Sequence, residues 1–139
     1  MILRCSYEEL AALTATARRV LDDVTGRGAV VAPPELAVEL ETLLPRLEGD
    51  LEIETLAAQR RLQRVFDYLL DVLQDRVDRL ILDQYVGSDD AVNAYFEYAN
   101  ILTLATKLRE IGDEMESLIE LMTGSPPTEE AARSITFTD

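Results

Sequence analysis

Histidine is absent from this chain of 139 residues, which also holds one cysteine and one lysine. Each shortage removes a class of chemistry. Without histidine there is no Ser-His-Asp or Cys-His arrangement. The familiar zinc sites lose their usual nitrogen ligand, and the Glu-x-x-His pairs of di-iron bundles cannot be built. The lone thiol, Cys5, cannot close an internal disulfide, and only Arg4 stands beside it to favour a thiolate, so a plain, partly buried thiol is expected. No stretch approaches twenty uncharged residues, and Met1 to Tyr7 lack the basic start and apolar run of a secretory signal. Neither membrane insertion nor export is expected, and a reducing cytoplasm fits best. The six glycines form no dinucleotide or phosphate-loop fingerprint, since Gly26-Arg27-Gly28 follows no strand and precedes no Gly-Lys-Ser/Thr. The expectation is therefore no catalytic residue, no metal ligand set and no cofactor.

Positive charge is scarce as well. Thirteen Lys and Arg stand against twenty-seven Asp and Glu, and the formal charge of −14 would repel a phosphate backbone, so direct nucleic-acid binding is not expected. The acids cluster: seven lie between Glu35 and Glu54 against Arg46 alone, and eight between Glu110 and Asp139 against Arg133 alone. The one basic concentration is Arg60, Arg61 and Arg64, with Arg76 and Arg79 farther on. Guanidinium forks suit carboxylates, and the favoured expectation is that they clamp the chain's own segment 35–54, ahead of an acidic partner. Asp67, Asp71, Asp75 and Asp78 fall near one line of a helix. That row could hold a divalent cation, but a solvated acidic face paired with Arg64 and Arg79 is the favoured reading.

What remains is a strong helical signal in a chain that is 47% apolar and sized for one domain. Ser6 and Glu9 form a capping box, and Leu10, Leu13, Ala17, Val20 and Val24 follow at helical spacing, predicting a helix over about 6–24. Gly26, Gly28 and Pro33-Pro34 close it. Leu36, Leu40 and Leu43 predict a short helix over 35–44, although Leu36, Val38 and Leu40 also alternate like a strand. Leu62, Phe66, Leu69, Leu73, Val77 and Leu80, widened by Val65, Leu70, Val72 and Ile81, predict a long helix over about 52–86. Gly87-Ser88-Asp89-Asp90 combines a helix stop with a new cap. A second long helix follows over 89–123, with Ile101, Leu104, Leu108, Ile111, Met115, Leu118 and Met122 as its stripe. Ala91, Val92, Tyr95, Phe96 and Ala99 extend that apolar side toward the turn.

The fold class expected is all-α: a long antiparallel helical hairpin with an additional N-terminal helix, bundle-like, with room for short terminal strands. Residues 1–124 form a single helical domain, and 125–139 a C-terminal tail whose strand-type residues 134–138 could pair with residues 1–5 or with another molecule. By elimination, the leading functional expectation is a non-enzymatic interaction protein, a scaffold, adaptor or assembly subunit, with a protein partner and homo-oligomerisation through uncovered flanks. The candidate partner-binding residues are Tyr85, Tyr95, Phe96 and Tyr98 near the bend, and Ile135 and Phe137 in the tail. Two alternatives stay open. One is an acidic, nucleic-acid-mimicking inhibitor of a basic protein using zones 35–54 and 110–130. The other is a carboxylate-based, metal-dependent enzyme around Asp71 and Asp75.

Overall fold

Two long apolar stripes joined by a tight turn dictate the architecture, and the computed structural model, described here for residues 1–22, 34–83 and 87–138, places them face to face. Helices α1 (Tyr7–Asp22), α2 (Pro34–Leu43), α3 (Leu56–Asp83), α4 (Asp89–Thr123) and α5 (Glu129–Ser134) are accompanied by the two-residue strands β1 (Ile2–Leu3) and β2 (Leu51–Glu52). Val65, Phe66, Leu69 and Leu73 of α3 share one core with Ile101, Leu104, Leu108, Met115 and Ile119 of α4. The pairing is antiparallel: Gln59 and Gln63 of α3 donate to the carbonyls of Leu108 and Ala105 in that reversed order. The protein is all-α and bundle-like, as the periodicity predicts.

Local chemistry sets the element ends. Ser88 accepts a hydrogen bond from the Ala91 amide at 3.2 Å to start α4, and Gly124, at φ 75°, closes it by donating to the Glu120 carbonyl. The predicted start of α3 at residue 52 is four residues early. Thr55 caps the helix, its Oγ1 accepting from the Ala58 amide at 3.0 Å, while residues 51 and 52 are drawn into pairing with β1. Residues 84–86, which the expectation placed in this helix, and 23–33, including Val24 and the glycine loop, lie outside the described residues. In α2 the helical spacing wins over the strand alternation, and Pro45 converts the end into a 3-10 turn over Leu44–Arg46.

Both capping-box bonds form at the start of α1: the Ser6 amide donates to Glu9 Oε1 at 2.7 Å and the Glu9 amide to Ser6 Oγ at 3.1 Å. α1 lies antiparallel to α4, tied by Lys107 to Glu9 at 3.0 Å and by Arg19 to Glu97. It is the third bundle member on the half of the hairpin nearest the bend. The other half is covered by α2, the 3-10 turn and α5.

The terminal segments depart from expectation. The N-terminal arm pairs with β2, in the register Ile2 to Glu52 and Leu3 to Leu51, rather than mainly with the tail. The tail adds itself alongside: the Phe137 amide donates to the Glu54 carbonyl at 2.7 Å, and the Met1 nitrogen to the Phe137 carbonyl at 3.4 Å. Ahead of that, α5 seats Ala132 in the core, with Thr128 as its cap. Residues 128–137 are thus packed onto the bundle rather than hanging from it.

The seam of α4 also drifts. Leu118 is only half-buried and Met122 is exposed, while Gly112, Met115 and Ile119 hold the buried positions. A strict 3-4 repeat averages 3.5 residues per turn against 3.6 for a straight helix, so a stripe read from the sequence walks off the contact line after about two heptads. At Gly112 the helices come so close that a Cβ would fall 2.6 Å from Gln59 Cδ and Nε2. Gln59 is buried there, its amide donating to the Leu108 carbonyl at 2.9 Å.

Candidate functional site

From Ala91 to Thr106, sixteen residues of a chain that is 29% charged, the only charged residue is Glu97. Its carboxylate is turned toward α1, where Arg19 and the Thr16 hydroxyl hold it. The first half of α4 therefore presents an uncharged outer face. Along it Val92, Tyr95, Ala99, Leu102 and Thr106 recur at spacings of three, four, three and four, joined by Phe96 and Thr103, and all are exposed. Tyr95 and Phe96 are 64% and 63% accessible. Three of the polar side chains interspersed here already donate within the helix: Thr103 and Thr106 to the Ala99 and Leu102 carbonyls, both at 2.9 Å, and Asn100 to Phe96. Covering this face would strand none of those three donors.

This arrangement corrects one expectation. Val92, Tyr95, Phe96 and Ala99 do not extend the buried side of α4; Ala91, Ala94, Ile101 and Ala105 do. α4 carries two apolar stripes in its first half, one inward and one outward. Below Thr106 the outward stripe gives way to Arg109, which faces Asp67, and then to Glu110, Asp113, Glu114 and Glu120, all four exposed and in no ion pair among the described residues.

The six candidate residues separate accordingly. Tyr95 and Phe96 are on the open face. Tyr98 is half-buried and packs against the core, and so do Ile135 and Phe137, whose segment is tied to Glu54. Those three are occupied within the molecule. Tyr85 lies outside the described residues. The missed members of the face, Leu102, Thr103 and Thr106, left a signal in the sequence: the absence of charge over a span too wide for one buried seam.

The arginines of α3 do not clamp segment 35–54 as a group. Arg61 approaches Glu39 at 3.9 Å, but Arg60 turns to Glu116 of α4 at 3.3 Å, and Arg64 makes no ion pair among the described residues. α5 brings Arg133 to the same place, and a groove of about 260 Å³ opens between them. The aspartate row is spoken for in part. Asp75 pairs with Arg79 at 2.9 Å, Asp78 accepts from Gln74, and Asp67 faces Arg109 at 3.7 Å rather than Arg64. Among the described residues no three carboxylate or thiol groups come together as a metal cage would need.

The single lysine occupies the most buried charged contact described. Glu9 is 4% accessible, and burial alone would raise its pKa. The Ser6 amide and hydroxyl and the Lys107 ammonium outweigh that and hold the carboxyl below its ordinary value. The Cys5 thiol is pushed up instead, by burial and by the carboxylates of Glu9 and Asp50, which disfavours the thiolate a nucleophile would need. No described helix is long and apolar enough to cross a membrane. Compared with protein-family models, curated proteins and solved structures, the chain finds no match.

Proposed function

We propose that the protein is a non-enzymatic helical interaction module whose first partner is a second copy of itself, docked through the outer face of α4. The observation that carries this reading is the contrast on that helix between an uncharged apolar half and an acidic half. A chain of net charge −14 repels its own copies wherever its carboxylates face each other, and the stretch 91–106 is where outward charge is missing. The stripe is also self-complementary. Antiparallel pairing about Ala99 sets Phe96 against Leu102 of the second copy, Tyr95 against Thr103 and Val92 against Thr106, as a two-fold interface requires. Sixteen helical residues span about 24 Å. A strip of that length and one helix width falls short of the ~800 Å² per partner of a standard interface, so the association belongs to the weak, transient class.

Light scattering over a concentration series is the test. The mass should rise toward twice that of one chain, and Tyr95→Asp with Phe96→Asp should hold it at one. In a Cys5→Ser background, Ala99→Cys should cross-link between copies under mild oxidation far faster than Val92→Cys, because only a residue near the two-fold axis meets itself. A particle that stays monomeric at all concentrations refutes the self-association.

The acidic half-face supports a second reading, an inhibitor that offers carboxylates where a basic protein expects phosphates. Binding to such a target would weaken steeply with salt, and salt-indifferent binding argues against it.

A further inference from the structure

Four of the thirteen cations of this acidic chain line one groove: Arg60, Arg61 and Arg64 from α3, and Arg133 from α5, with Glu129 as the only carboxylate among them. Four guanidiniums against one acid is the reverse of the surrounding balance. With 27 carboxylates in the chain, each arginine has had ample opportunity to be neutralised. Yet Arg64 and Arg133 are in no ion pair among the described residues, and both are exposed. Arg60 and Arg61 are held at the two flanks, by Glu116 at 3.3 Å and Glu39 at 3.9 Å. The docking of α5 against α3, which buries Ala132, sets Arg133 against the trio despite like-charge repulsion.

We propose that this groove binds a compact phosphoryl anion, of the kind carried by pyrophosphate or a phosphate ester. Planar guanidinium forks match paired phosphoryl oxygens and deliver two hydrogen bonds each, which a lysine ammonium does not. The remote carboxylates do not cancel this local field, since charge is screened beyond about 8 Å at physiological salt. Size separates the phosphoryl group from an acidic peptide. The groove has a volume of about 260 Å³; Glu129 is in its lining, Glu116 flanks it at Arg60, and Glu35 and Glu39 line the neighbouring cavity that shares Arg61 and Arg64. A compact anion can sit among the four guanidiniums without reaching those flanks, whereas an extended acidic chain that leaves past Arg60 or Arg61 meets Glu116 or Glu39.

The test is calorimetric titration of the full chain with metal-free pyrophosphate, ionic strength being matched with sodium chloride. Saturable binding is expected. Arg64→Ala and Arg133→Ala should each weaken it about tenfold or more, the loss of a charge-assisted contact worth about 1.5–3 kcal/mol. Arg18→Ala, an exposed cation of α1 away from the groove, should leave it unchanged, and circular dichroism should confirm that all three variants are folded. Absence of saturable heat overturns the proposal. So does an equal loss in Arg18→Ala, which would mean diffuse attraction, or displacement of pyrophosphate by an equal concentration of hexaglutamate, which would make the groove a peptide site.

Discussion

Replacing Gly112 by alanine tests the close approach of α3 and α4 at that residue, and the sign of its effect should depend on one other residue. In an exposed helix interior the change would be favourable, because alanine has the better helix propensity by about 1 kcal/mol. Here the new Cβ would meet Gln59 Cδ and Nε2 at 2.6 Å and Oε1 at 2.8 Å, well inside any tolerable contact. These atoms end a flexible side chain, so the glutamine can withdraw. Doing so breaks its bond to the Leu108 carbonyl and leaves a buried amide without that partner, a loss of about 1–3 kcal/mol. The balance is a net destabilisation of about 0–2 kcal/mol. In a Gln59→Ala background the obstruction is gone, and Gly112→Ala should stabilise by about 1 kcal/mol. The double-mutant coupling is then about 1–3 kcal/mol, readable by urea unfolding at one fixed protein concentration, since self-association would otherwise shift the midpoint. Stabilisation by Gly112→Ala in both backgrounds would refute the close approach.

Other perturbations follow from single contacts. Glu9 is held below its ordinary value of 4.5, so the stability it contributes is full above that pH and is lost as pH falls through the lowered folded value. Glu9→Gln should cost about 1–3 kcal/mol at pH 7, with the deficit shrinking in unfolding curves taken below pH 4.5. Phe66, fully buried between α3 and its neighbours, should lose about 3–5 kcal/mol on change to alanine, seen as a lower urea midpoint. Phe137→Ala should cost less, about 1–2 kcal/mol, because the ring is only half-buried; no loss at all would return the tail to the solvent. Alkylation of Cys5 should run slower than that of a free thiol at pH 8 and catch up only above the ordinary thiol value of 9.0, because burial and two carboxylates disfavour the thiolate.

The hairpin was legible because its signals agree. Apolar spacing, the Ser6 and Ser88 caps and the stop at Gly124 all specify the same elements, and each cap forms the bond its residue type predicts. Legibility ended where two periodicities overlap. Between residues 91 and 106 nearly every position of α4 is uncharged, so apolar spacing alone could not tell the inward stripe of Ala94 and Ile101 from the outward one of Tyr95 and Leu102. The end of α3 nearest β2 was misread for a different reason: Leu51 and Ile53 are apolar because they pair with the N-terminal arm, a contact about fifty residues away that no local pattern encodes. The arginine groove was half visible. Arg60, Arg61 and Arg64 stand together in the sequence, but Arg133 reaches them only because α5 packs back on α3.

The charge pattern of α4 also decides between the two readings of its outer face. In antiparallel pairing about Ala99, residue 110 of one copy falls opposite residue 88 of the other, since both are eleven positions from the centre. Arg109, exposed beside Glu110, then lies opposite Asp89 of the second copy, so the ends of the strip are of mixed sign and the repulsion that remains is the one between two chains of net charge −14. Added salt screens that overall repulsion and leaves the apolar centre untouched, so self-association should tighten as ionic strength rises from low to physiological values. Binding of a basic target by the acidic half must loosen over the same range. One protein on one salt series thus gives opposite slopes for the two interactions. If dimer mass falls with salt, ion pairs between carboxylates and arginines rather than Tyr95, Phe96 and Leu102 hold the copies together, and the apolar interface is wrong.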